Sequence, residues 1–255
     1  MSVIPIPELN DRARDVFRLV VESYLGTGLP VGSRTISKMA SLSLSPASIR
    51  NVMQDLEELG LLAAPHTSAG RMPTETGLRL FVDGMMQAAE PSVEERRAIE
   101  APPADVGGRE RLVNVLCLSA AADAARELVT RGIAIWSHDA DDRPVLIVRG
   151  QAHLIDDGTA ADLDRVRQLL EQLEGKQEIS RLLESALAGS ATKIFIGSEN
   201  KLFSLSGSSV IAAPYRGGDG RVVGVVGVIG PTRLNYARVI PMVDFTAQTL
   251  SRLMR

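Results

Sequence analysis

Aromatic residues make up 4% of this 255-residue chain, which carries one cysteine, Cys117, and three histidines. A single cysteine excludes an internal disulfide and suits a reducing compartment. His66, His138 and His153 stand far apart from one another and from Cys117, so no metal-ligand spacing is present. The first ten residues contain prolines rather than the apolar core of a secretion signal, and no apolar run is long enough to span a bilayer. Gly224, Gly227 and Gly230 recur every third residue, which is not GxGxxG, and Pro231 rather than a helix follows them. No nucleophile–base pair is evident. These absences point to a cytoplasmic protein that is neither an enzyme nor a membrane protein and holds no cofactor. With 45% hydrophobic residues, its cores must be built from Leu, Val, Ile, Ala and Met.

Negative charge is missing locally. The net charge is −3, yet no acidic residue lies between Ser23 and Gln54, where Arg34, Lys38 and Arg50 are found. Acids return at Asp55, Glu57 and Glu58. A positive leading face on a near-neutral chain suits moderate, selective nucleic-acid binding. A chance gap in acids is the alternative.

The stretch from Ser45 to Arg71 gives this gap a context. Ser45 is a helix N-cap and Pro46 suits the first helical position. Ile49, Val52, Met53, Leu56 and Leu59 recur at helical spacing, Gly60 stops the helix, and Leu61-Leu62 opens a short strand. A polar turn at 67–70 leads back through Arg71. Upstream, Asn10 or Asp11 caps a helix running to about Thr27 with Val16, Phe17, Val20 and Tyr24 on its buried stripe. Ser33 caps a short helix with Ile36 and Met39-Ala40 facing inward, and 41–44 form a turn. Helix, short helix, turn, recognition helix and wing is the winged helix-turn-helix order. After Pro73-Thr74 another helix carries Leu78, Phe81, Val82, Met85 and Ala89, a face suited to a partner subunit.

The groove-facing candidates follow from that order. Ser45, Ala47, Ser48, Arg50, Asn51 and Gln54 occupy the polar side of the recognition helix, with Arg34 on the helix before it. Arg50 can fork onto guanine and Asn51 can pair with adenine. Ser45 and Ser48 can reach phosphate at the helix N-terminus. His66, Thr67, Ser68 and Arg71 are the wing contacts, reaching the minor groove or flanking phosphate. The alternatives are a merely solvated helix face and an ordinary polar hairpin.

Domain boundaries read as 1–89 for the winged helix, 90–108 for a Pro/Gly-rich linker with a helical turn or two near 94–99, and 109–255 for an α+β domain. In the last, 109–131 reads as a helix, 133–136 and 145–148 as strands, and 161–174 and 178–187 as amphipathic helices. Strands follow at 193–197, 209–215 and 221–229, the last two joined by the turn Gly217-Gly218-Asp219-Gly220. The final helix bears Tyr236, Val239, Ile240, Val243, Ala247 and Leu250. Cys117 reads as a buried, inert thiol, Asp139, Asp141 and Asp142 as a solvated loop, and 196–200 as a structural turn or a ligand loop.

Four segments together carry a resemblance: LNDRARDVFRLVVESYLGTGLPVGSRTIS, LSPASIRNVMQDLEELGLLAAPHTSAGRMPTETGLRLFVDGM, IGSEN and GVVGVIGPTRLNYARVIPMVDFTAQTLSRLM. They resemble the heat-inducible transcription repressor HrcA family, at both ends of the chain. The resemblance implies a bacterial, dimeric repressor that binds an inverted repeat upstream of chaperone operons, with a GAF-like α+β domain for dimerisation and regulation. It also implies that the GroE chaperonin maintains the active form until heat diverts it, and that the protein is nucleoid-associated when bound to DNA. Ser45, Ser48, Arg50 and Asn51 fall on the family's recognition helix, and His66, Thr67 and Arg71 on its wing. Residues 90–150 are shorter than the family pattern. A small-molecule-sensing regulator with the same DNA-binding head is the alternative function.

Overall fold

A computed structural model describes residues 9–39, 44–66, 70–100, 115–117, 134–138, 144–146, 148–149, 191–199 and 208–253. They fall into two compact units, Met1–Gln87 and Ala88–Arg255. Helices stand beside strands in both, so the fold class is α+β.

In the first unit α1 (Asp11–Thr27), α2 (Ser33–Met39) and α3 (Pro46–Glu58) pack on one another. Asn10, rather than Asp11, caps α1: its side chain accepts from the N–H of Ala13 at 2.8 Å. Gly28 closes the same helix in the left-handed conformation, φ 70°, its N–H on the carbonyl of Tyr24. Val16, Phe17, Val20 and Val21 meet Ile36, Ile49, Met53 and Leu56 in the buried core. Two short strands, β1 (Leu62–Ala63) and β2 (Met72–Pro73), pair antiparallel, with Leu62 opposite Pro73. Arg71 forms a separate bridge to Val31, each N–H on the other's carbonyl at 2.8 and 2.9 Å. Gly70 is required there, because a Cβ would stand 2.4 Å from the carbonyl carbon of Val31. The closing helix α4 (Glu75–Gly84) is capped by Thr74, which accepts from the N–H of Gly77 at 3.0 Å. Its Leu78, Leu80, Phe81 and Val82 are buried.

Three expectations about this unit need correction. Met39 is 59% exposed rather than inward, and Leu59, just past the end of α3, is 51% exposed. The last helix stops at Gly84, so Met85 is its cap and Ala89 lies beyond it. Ala40, the turn residues 41–43 and residues 67–69 of the wing tip lie outside the described residues.

The second unit is centred on a long hairpin, β8 (Ser208–Arg216) and β9 (Val222–Pro231), in register from Ser208 opposite Pro231 to Arg216 opposite Val222. The strand β7 (Lys193–Ile196) lies antiparallel on β8. The other edge of β9 is divided between two strands. Antiparallel β4 (Ala134–His138) takes Gly224 to Gly227, and parallel β3 (Val115–Cys117) takes Val228 and Ile229. β5 (Pro144–Leu146) pairs β4, and β6 (Val148–Arg149) pairs β3. Gly227 marks a close backbone approach: a Cβ would stand 3.0 Å from the carbonyl oxygen of Ile211. The helix expected over 109–131 is interrupted by β3, a short apolar run whose periodicity does not separate helix from strand. The helices expected at 161–174 and 178–187, the loop at 139–142 and the side chain of Cys117 lie outside the described residues. The expected loop at 196–200 begins as a single 3-10 turn, Gly197–Glu199, whose Glu199 carboxylate accepts from the N–H of Ile196 at 2.8 Å.

Over β8 and β9 lies α6 (Tyr236–Leu253), burying Tyr236, Val239, Met242, Val243 and Ala247. The Tyr236 hydroxyl donates to the carbonyl of Thr232 at 2.7 Å and stands 2.7 Å from the Ser209 hydroxyl. Half of the expected linker is not free chain. α5 (Val93–Glu100) packs on α6, and Ala88–Glu100 belongs to the second unit. A capping box starts α5: Ser92 Oγ accepts from the Glu95 N–H at 3.2 Å, and Glu95 Oε2 from the Ser92 N–H at 2.7 Å.

Candidate nucleic-acid interface

The recognition helix owes its placement to its own sequence. Ser45 caps it, accepting from the N–H of Ser48 at 3.1 Å, and Pro46 enters the first turn with a fixed φ. Ile49, Met53 and Leu56 anchor one face in the core. Spacing then forces Ala47, Arg50, Asn51 and Gln54 to the other side, and all four are exposed. Ser48 is half-buried, and its hydroxyl lies 3.0 Å from that of Ser45, so both serines are engaged in the cap. Gln54 Nε2 reaches Glu58 Oε1 at 3.5 Å at the acidic far end of the same face.

Arg34 is exposed on α2, together with Lys38 one turn later. Lys38 was not among the residues the sequence singled out as contacts, although the run without acids contains it. In the wing His66 is exposed, while Thr67 and Ser68 lie outside the described residues. Arg71 stands at the base of the wing rather than its tip, and its Nε donates to Glu57 Oε2 at 2.8 Å. No sequence signal announces that pair, because its members are fourteen residues apart on different elements.

Charge is distributed unevenly over this unit. Arg14, Arg18, Arg71 and Arg79 pair with Asp11, Asp15, Glu57 and Asp83 at 3.8, 3.2, 2.8 and 3.2 Å. Among the described residues no carboxylate pairs with Arg34, Lys38 or Arg50, nor with Arg12 at the start of α1. The cations of the helix-turn-helix are therefore the ones left to meet an outside anion. Groups of His, Cys, Asp or Glu able to hold a metal are absent among the described residues, and no described helix is long and apolar enough to cross a membrane.

Residues 109–240 match the family model described as the HrcA protein C terminal domain. The heat-inducible transcription repressor HrcA of Sphingopyxis alaskensis is 55% identical, the alignment covering 100% of each chain. The protein of the same name from Erythrobacter litoralis is 48% identical over 99% of each chain. The first alignment extends over 347 positions. This chain has 255 residues, so that relative carries residues this one lacks. A solved structure described as a hypothetical protein aligns with 97% of this chain and 99% of its own at a TM-score of 0.64 and 19% identity, which shows a shared fold. The curated relatives are regulators, not enzymes. With a family model over half its length and end-to-end relatives at such identity, the chain belongs to the heat-inducible transcription repressor HrcA family.

Proposed function

We propose that the protein is a DNA-binding repressor of heat-inducible chaperone operons, acting in the bacterial cytoplasm and held at the nucleoid while bound. The observation that carries this reading is the exposed set Arg34, Lys38 and Arg50, which has no carboxylate partner among the described residues, on the two helices of a winged helix-turn-helix. Unpaired cations release counterions on meeting phosphate, whereas paired ones have already surrendered much of that gain. Arg50, Asn51 and Gln54 read base edges in the major groove, and Ala47 gives apolar contact with a thymine methyl. Ser45 and Ser48 hold the helix N-terminus toward phosphate, Arg34 flanks it, and His66, Thr67 and Ser68 carry the wing to the neighbouring groove. Arg71 belongs to the same interface at the wing base.

The operator is an inverted repeat read by a homodimer, since two-fold protein symmetry matches two half-sites. The second unit supplies dimerisation and regulation, and the GroE chaperonin keeps the repressor competent until heat diverts it. The test is a footprint of the full chain on the promoter of its own organism's chaperone operon, against a scrambled duplex, across temperature and with or without chaperonin. Salt-sensitive, two-fold-symmetric protection lost on heating is expected. Equal affinity for both duplexes would refute the reading.

A further inference from the structure

We propose that Glu57 and Arg71 are a positioning pair that sets the wing against the recognition helix, and that Arg71 serves the interface through this pair instead of contacting a phosphate. This rests on the DNA-binding reading above. Glu57 sits in the last turn of α3, beside the buried Leu56. Arg71 begins the returning arm of the wing. Their side chains are only 33% and 25% exposed, so the contact is shielded from water on most sides. The arm is held at three points: the β1–β2 pairing, the two backbone bonds to Val31, and the side-chain bond to Glu57. Gly70 permits the second by clearing the Val31 backbone. The side-chain bond joins the returning arm of the wing to the last turn of α3, so it bears on the angle between the groove-reading helix and that arm.

Charge makes the proposal testable. A carboxylate on a DNA-facing unit repels phosphate, so deleting a bystander glutamate tightens binding. Deleting a positioning glutamate weakens it. A guanidinium already paired releases few counterions, so losing it leaves the salt dependence of binding almost unchanged, whereas losing a phosphate contact lowers the slope by about one.

The experiment measures affinity of the full-length wild type, Glu57→Ala, Arg71→Ala and the double variant for the chaperone-promoter duplex and a scrambled one over a range of salt. Hydrogen exchange of residues 62–73 is followed in the absence of DNA. Each single substitution is expected to weaken specific binding roughly two- to tenfold, and Arg71→Ala to leave the salt slope unchanged. The double variant should bind no worse than the weaker single, and exchange in 62–73 should rise in all three. Arg71→Lys keeps the charge but not the planar fork, and should behave like Arg71→Ala. Glu57→Ala binding as tightly as wild type or more so, or Arg71→Ala lowering the slope by about one, overturns the proposal. If wild type does not prefer the promoter, the functional reading fails instead; the exchange arm then decides the pair, and unchanged protection of 62–73 in Glu57→Ala overturns it.

Discussion

The N–H of Ala89 donates to the carbonyl of Ala237 at 2.9 Å, the carbonyl that Pro241, four residues on, leaves without a helical donor. A proline inside a helix ordinarily only removes a bond. Here the vacated acceptor receives the chain just after the first unit ends at Gln87. The next residue of α6, Arg238, pairs with Glu95, and both Arg96 and Arg252 lie over the ring of Phe245, 5.5 and 5.7 Å from its centre. Pro241→Ala should restore the intrahelical bond and compete with Ala89. Hydrogen exchange is expected to quicken at Ala89 while the thermal midpoint of the second unit does not fall, since helix propensity rises by up to about 3 kcal/mol. Unchanged exchange at Ala89 would break the link between the proline and the docking.

Glu95 is 7% exposed, yet charged. Burial opposes its ionisation, but the Ser92 N–H and the Arg238 guanidinium outweigh that and hold the carboxyl below its ordinary value of 4.5. A lowered folded pKa contributes stability that is fully present above the unfolded value and is lost as pH falls through the folded one. Glu95→Gln should therefore destabilise the second unit by about 1–3 kcal/mol near neutrality. The difference from wild type should shrink below pH 4.5, a comparison that denaturant melts at several pH values provide.

Two glycines of α4 should respond oppositely to alanine. A Cβ on Gly77 would stand 2.2 Å from the carbonyl oxygen of Leu61, and backbone on both sides leaves nothing to yield. The usual helical gain of about 0.5–1 kcal/mol is outweighed by about 1–3 kcal/mol of overpacking. Gly84 has nothing within 4 Å, so Gly84→Ala should stabilise by a few tenths to about 1 kcal/mol. Unfolding midpoints of the two variants decide the sign.

Ser45 is a cap first. Ser45→Ala should cost about 1 kcal/mol of stability in the first unit. Ser45→Asp keeps an acceptor for the Ser48 N–H and should preserve stability, but it places a carboxylate beside the phosphates and should weaken DNA binding. Thermal melts and duplex titrations on the same two variants separate the roles.

Arg50 and Lys38 should differ in kind. Arg50→Ala is expected to cost about 1–3 kcal/mol on the operator and to relax selectivity at one base pair, while Lys38→Ala weakens all duplexes alike and lowers the salt slope by about one. Competition against single-base operator variants at two salt concentrations distinguishes them.

Much of the first unit was legible because its signals are local. Asn10, Ser45 and Thr74 cap helices whose N–H groups lie within three residues, and the spacing of Ile49, Met53 and Leu56 needs only the helical period. The errors fall where a residue's fate depends on distant chain. Met39 and Leu59 fit the apolar rhythm, but each sits at a helix end where no described neighbour covers it. Residues 115–117 became a strand because β9 offered an edge, and 93–100 docked because α6 offered Arg238 and Phe245.

By itself the sequence determined the helix order, the caps, the face presenting Arg50, Asn51 and Gln54, and the run without acids, since all of these follow from spacing along one chain. Only the tertiary structure decided which cations are already spent. Arg71 and Arg50 look alike in the sequence, but Glu57 reaches one, and among the described residues no carboxylate reaches the other. An ion pair depends on distance in space, and a 14-residue or 143-residue separation carries no information about that distance until the chain has folded.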